Sequence, residues 1–462
     1  MKRTVVFLLC ILSLLLSLPL QAQEKVQGFV HQASDASGYV WPEDSLVLQK
    51  LDKWQDLKFG VLFHWGLYSV PGIVESWSIC SEDEEWINRR TDMTYDEYKR
   101  WYWALQDSLC PTKFDASRWA DIMQDAGMKY MLFTTKHHDG FCMYDSKYTD
   151  FSIAHGPFAN DPRRDVTRHV LDAFRDKGFM AGCYFSKPDW HCPWFWNDHF
   201  ATATRRINYK KDRHPDWWEN YRTFTQHQLE ELTTDYGRID ILWLDGGWIT
   251  GDDIGLDEVL QKARTRQPGL IAVDRTIRGR NENYQTPERS IPATQQNHPW
   301  ESCITLSNDW GWVPNAPYKS ARKVIALLSE VTAKGGCLLL GIGPTAQGEI
   351  EPAIIERMHS VGLWLRANGK AIYDTRTTPV YQSNGVWFTA DKDGRTLYAI
   401  RPLEDGASQP ETIEWEGNAP KGKVTILETG ERLKTRTEGG RTIVTLPRKY
   451  AEKPVALSFR IK

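Results

Sequence analysis

From about residue 57 to about residue 370 the sequence alternates short apolar runs with longer amphipathic stretches, and this alternation constrains the fold more than any other feature. Seven runs read as strands, at 59–65, 130–135, 180–186, 239–245, 270–274, 303–306 and 337–342. They are rich in β-branched and aromatic residues, and several end on a polar side chain. Helical patterns at 116–126, 166–177, 217–236, 256–267 and 320–334 fall between them. Strands joined through helices form parallel sheets with right-handed crossovers, and at this length a (β/α)8-like barrel is the natural closure. Past residue 371 the pattern changes to strands at 386–389, 396–400, 412–415, 423–427, 442–446 and 455–461, with turns at Asp393-Gly394, Thr429-Gly430 and Gly439-Gly440. The expected fold class is α/β, with a (β/α)8-like catalytic barrel over 23–372 followed by a C-terminal antiparallel β-sandwich over 373–462.

Lys2 and Arg3 precede an apolar run over 5–16, and the segment closes with Leu20-Gln21-Ala22. That pattern reads as a cleavable signal peptide over 1–22 and implies a secreted or periplasmic destination. No later segment approaches the ~20 apolar residues of a membrane span, so no membrane partner is expected once the signal is removed. Seven cysteines then remain, at 80, 110, 142, 183, 192, 303 and 337. An odd number leaves at least one unpaired within the chain, and the spacing, without Cys-x-x-Cys, supports neither a zinc ribbon nor a disulfide framework. Several are expected to be buried thiols. The 57 Lys+Arg against 60 Asp+Glu give a net charge of −3, which offers no basic field for a nucleic acid. The 21 Trp point elsewhere, because indole faces stack on sugar C–H groups while the N–H still donates. Most of them are nevertheless expected in the core.

Active sites of such barrels lie at the C-terminal ends of the strands, so the chemistry is sought there. Those ends read His64-Trp65-Gly66, Lys136-His137-His138-Asp139, Tyr184-Phe185-Ser186, Trp243-Leu244-Asp245-Gly246 and Asp274-Arg275. Asp245 closes an apolar strand between Trp243 and Trp248, as a carboxylate at a sugar site would, although Asp-Gly is also a common turn pair. A retaining glycosidase needs a second carboxyl, and Glu288 and Glu301 are the candidates downstream. Adjacent His137 and His138 are compatible with metal ligands or with neutral partners of sugar hydroxyls. The first strand offers only His64 rather than His-x-His, which favours the second use. Gly341-Ile-Gly343-Pro lacks the ending of a phosphate loop and reads as a tight connection. The acidic run 82–85 reads as a solvated loop whose neighbours Glu75, Trp77 and Trp86 are within reach of the mouth.

The segments KFGVLFHWGLYSVP (58–71), KHHDGF (136–141), WLDGG (243–247) and PWE (299–301), in this order, resemble the family 29 glycoside hydrolases, the retaining α-L-fucosidases. The resemblance runs from about residue 50 to the C-terminus. It implies a barrel followed by a β-sandwich, a fucosylated oligosaccharide or glycoconjugate as substrate, and no metal or organic cofactor. By match, Asp245 resembles the nucleophile. Glu288, after the fifth strand, resembles the proton donor, with Glu301 as the alternative. His64, His137 and His138 resemble partners of fucose hydroxyls. The resemblance further implies that Trp65, Glu75, Trp77, Tyr184, Trp243 and Arg275 line the sugar pocket, and Trp310 resembles the aromatic facing the C5 methyl. One departure is the order Glu75-Ser76-Trp77, where many members place Glu directly before Trp.

Overall fold

The computed structural model describes residues 38–461 apart from 83–86, 88, 91 and 203. The signal segment at 1–22 and Trp86 lie outside the described residues. Seven parallel strands form one sheet: β1 Phe59–Phe63, β2 Tyr130–Lys136, β3 Met180–Ser186, β4 Ile241–Asp245, β5 Ile271–Asp274, β6 Glu301–Thr305 and β7 Cys337–Ile342. Their order is β5-β4-β3-β2-β1-β7-β6. They are buried on both faces, which is why they read as continuous apolar runs rather than as alternating ones. Helices Ala116–Asp125, Val166–Asp176, Pro215–Asp235, Leu256–Arg266 and Ala321–Ala333 fall on the predicted stretches. Three of them start where a side chain caps a free amide: Asp115 accepts from Arg118 N, Asp165 from Arg168 N and Ser320 from Lys323 N.

The eighth place in the ring is taken by an irregular segment. After β5 the chain doubles back, so that Asn283 N donates to Ala272 O and Asp274 N to Asn281 O. It then runs parallel beside β6, where Glu301 N donates to Gln285 O and Arg289 N to Cys303 O. Glu288 thereby lies opposite Cys303. Pro287 supplies no N–H, so this stretch pairs only in isolated bridges.

Alternate residues face opposite ways along each strand. Leu62, Tyr130, Leu132, Tyr184, Trp243, Val273, Cys303 and Leu339 form the barrel interior, whereas Val61, Phe63, Phe133, Leu242 and Leu244 join the cluster under the helices. One expected boundary is corrected. The sixth strand starts at Glu301 rather than Cys303, so Glu301 opens the strand at the barrel's base.

From Thr375 onward the strands are antiparallel. A six-stranded sheet contains Val386–Asp391, Thr396–Arg401 and Val455–Arg460, and a three-stranded sheet contains Thr412–Glu416, Thr435–Glu438 and Arg441–Thr445. Val386, Phe388, Leu397, Ile413, Trp415, Val444 and Phe459 fill the space between the two. The seven cysteines among the described residues are all free thiols, six of them buried. Among the described residues no helix is long and apolar enough to cross a membrane.

Candidate active site

β4 carries Asp245 to the mouth of the barrel, with its side chain 16% exposed. Oδ2 of Asp245 accepts from the Tyr184 hydroxyl at 2.6 Å, and Oδ1 accepts from Nη1 of Arg275 at 2.8 Å. Arg275 follows β5, and its other arm, Nη2, donates to Oε2 of Glu288 at 2.9 Å. Its Nε donates to the Thr286 hydroxyl, and its guanidinium lies 4.3 Å from the centre of the Trp243 ring. One buried cation therefore holds two carboxyl groups that come from different elements. Burial alone would lower the Arg275 pKa, but the charges of Asp245 and Glu288 outweigh it and raise the value, so the group stays cationic. The second oxygen of Glu288, Oε1, accepts from the indole N–H of Trp310 at 3.2 Å.

Three histidines surround this pair. Burial pushes the His137 imidazole down to about 4, and burial, with His137 second, pushes His64 and His138 well below their ordinary value. All three are neutral at neutral pH, and each carries one donor and one acceptor nitrogen. Nδ1 of His137 shares a 2.5 Å hydrogen bond with the Ser76 hydroxyl. Nε2 of His138 lies 3.8 Å from Oδ2 of Asp245. Nδ1 of His64 and Nδ1 of His138 are buried without a hydrogen-bond partner among the described residues. Such atoms are costly unless a ligand satisfies them. The Trp310 ring is centred 5.1 Å from His64, and Trp77, Trp190 and Trp248 pack around His138 at 5.3, 5.2 and 5.0 Å. The result is an apolar-walled cup floored by polar groups.

The structure thus brings together Asp245, Glu288, Arg275, Tyr184, His64, His137, His138, Trp77 and Trp310. Trp243 lies beneath them, its ring under Arg275 and its N–H donated to Glu301. Glu75 is buried beside the cup, where it accepts from Gly311 N at 2.6 Å. Burial, and after it Asp309, raises its carboxyl to about 7. Two of the expected residues are not at the mouth. Trp65 follows His64, so the strand's alternation turns it outward. It packs on Phe114 and Trp119, its N–H bound to Thr345 O, and is a packing residue. Glu301 is fully buried at the base, where the Tyr130 hydroxyl and the Trp243 N–H donate to it at 2.8 and 3.1 Å. Burial raises its carboxyl to about 7.

Sequence reasoning missed Ser76, Thr286 and Arg205. Arg205 lies 4.7 and 5.4 Å from the centres of the Trp77 and Trp248 rings and pairs with Glu82. No motif flags these three: Ser76 opens a short 3-10 turn in the connection after β1, Thr286 lies on the irregular segment beside β6, and Arg205 lies on the long connection after β3.

A family model described as alpha-L-fucosidase matches residues 27–370. Plasma alpha-L-fucosidase of Pongo abelii is 30% identical over 380 residues, 77% of each chain. Alpha-L-fucosidase isoenzyme 1 from Paenibacillus thiaminolyticus superposes with a TM-score of 0.75 at 28% identity, covering 90% of this chain and 100% of that one. A GH29 alpha-L-fucosidase mutant from Bacteroides thetaiotaomicron, trapped as a covalent intermediate with 2-fluoro-fucosyl fluoride, superposes with a TM-score of 0.73 at 25% identity, covering 94% and 100%.

Proposed function

Because the chain belongs to the alpha-L-fucosidase family, we propose that it removes terminal α-L-fucosyl residues from oligosaccharides or glycoconjugates, acting from the chain end by a retaining double displacement. The observation that carries this reading is the pair Asp245 and Glu288 on the two arms of Arg275. In the first step an oxygen of Asp245 bonds to the anomeric carbon while the glycosidic C–O bond breaks and Glu288 gives its proton to the departing oxygen. In the second, Glu288 takes a proton from water, whose oxygen bonds to the anomeric carbon and releases the Asp245 carboxylate. Tyr184 and Arg275 orient the nucleophile through the two hydrogen bonds it accepts from them. The neutral histidines offer donors and acceptors to the fucose hydroxyls. The Trp310 ring supplies an apolar wall that rewards a methyl group and gives a hydroxyl no partner. The covalent species trapped in the Bacteroides thetaiotaomicron relative supports the two-step route.

The same reading treats residues 1–22 as an export signal, giving a secreted or periplasmic enzyme, and sets the boundary of the catalytic domain at 372/373. Its test is labelling with 2-fluoro-fucosyl fluoride followed by peptide mass mapping. The label is expected on Asp245, and the first sugar released from an ordinary substrate is expected to be the α anomer. A label on any other residue, or an inverted first product, overturns the assignment.

A further inference from the structure

The loop between β6 and helix Ala321–Ala333 carries Trp310 to the mouth, and it is gripped from the far side of the sequence. Oε1 of Glu75 accepts the Gly311 N–H at 2.6 Å across 236 residues, from a site where the Glu75 side chain is 3% exposed. The loop sits as close as a glycine permits, since a Cβ at Gly311 would stand 2.8 Å from the Tyr68 ring. The neighbouring residue, Trp310, donates its indole N–H to Glu288. The other sides of the Trp310 ring meet His64, Gly341 and the Arg289 guanidinium. A carboxyl held by two donors, Arg275 on one oxygen and Trp310 on the other, has its plane fixed, and proton transfer depends steeply on such placement.

We propose that Glu75 is a positioning residue for proton transfer: by holding Gly311 it fixes the Trp310 N–H that orients Glu288, and it acts on the acid rather than on the sugar. This rests on the reading of Glu288 as proton donor. A residue that contacts the sugar is needed whatever the leaving group, whereas a residue that orients the acid matters only when the leaving oxygen needs a proton.

The experiment compares kcat/KM for 2-chloro-4-nitrophenyl α-L-fucoside, whose leaving group needs little protonation, with that for a fucosyl disaccharide, whose leaving group needs it fully. Glu288→Ala, run alongside, should lose far more on the disaccharide. Glu75→Ala and Trp310→Phe should each lose roughly tenfold or more on the disaccharide beyond any loss on the aryl fucoside. The double variant should lose no more than the worse single one, because both act along one path. Glu75→Gln, whose amide oxygen still accepts from Gly311, should recover most of the loss. If Glu75→Ala does not fold, Glu75→Met, of similar length and without an oxygen, carries the same comparison. Equal losses on both substrates, or fully additive ones in the double variant, overturn the positioning role while leaving Glu288 in place. A Glu288→Ala variant without leaving-group dependence overturns both readings.

Discussion

Glu288 and Glu301 are both glutamates in the stretch after the fifth strand, and in the sequence either is eligible as the acid. Backbone pairing separates them: Glu288 lies opposite Cys303, while Glu301 opens β6 two residues earlier, at the base of the barrel among Tyr130, Trp243 and Tyr284. The position of Glu301 has a consequence for stability. Burial raises its pKa from an ordinary 4.5 to about 7, so between those values the folded chain holds a proton that the unfolded chain has released. The contribution of that proton is complete below about 4.5 and is lost as pH rises through about 7. Glu301→Gln removes the titration and leaves one of the two donors without its oxygen. The wild type should therefore exceed Glu301→Gln in stability by more at pH 5 than at pH 7. At about 1.4 kcal/mol per pKa unit, the gap should change by about 2–3 kcal/mol. Thermal or urea unfolding at a series of pH values reads this directly, and a gap that is constant with pH refutes it. Residues at strand ends, such as Asp245, Arg275 and the histidines, were legible because periodicity places them. Ser76 and Arg205 were not, because the connections after β1 and β3 place them.

β7 shows the same distinction one level up. Its apolar run marked it as a strand, and Gly341-Ile-Gly343 read as no more than a tight connection. In the structure the missing side chain at Gly341 is the seat of the Trp310 ring, whose Cε3 would lie 2.6 Å from a Cβ placed there, and Gly343 lies against the backbone of Gly311 and Trp312. A strand pattern records which residues are apolar. It does not record which neighbour needs an empty space. The irregular segment carrying Glu288 was hidden for a related reason: Pro287 interrupts its ladder, so it lacks the periodicity of a strand while filling the place of one. Gly341→Ala should force the Trp310 ring to move at a cost of about 1–3 kcal/mol, as overpacking does. Its kcat/KM on fucosides should fall by a larger factor than its thermal stability alone would explain. Full activity in Gly341→Ala at a temperature well below its Tm would show that the ring has room.

At the scale of the molecule, the change of pattern near residue 371 revealed a second architecture but not how it is joined to the first. The larger C-terminal sheet has two buried faces. Leu397 and Ala399 point to the smaller sheet, while Tyr398 and Ile400, with Ala456, belong to the main cluster of the barrel. The seam also has polar ties. Arg322 donates to the carbonyls of Glu404, Ala407 and Glu452, Trp364 donates its indole N–H to Pro454 O at 3.0 Å, and Arg376 pairs with Asp52 and Asp56. A seam with a continuous apolar core and satisfied carbonyls couples the unfolding of its two sides, because opening it exposes both at once. Trp364 is 8% exposed at this seam, so Trp364→Ala should cost about 3–5 kcal/mol through the cavity it leaves. The loss should lower one shared transition: calorimetry, far-UV circular dichroism and residual fucoside hydrolysis are expected to shift together. If the C-terminal sheets melted first and the barrel kept its activity to the wild-type temperature, the seam would not be coupling them.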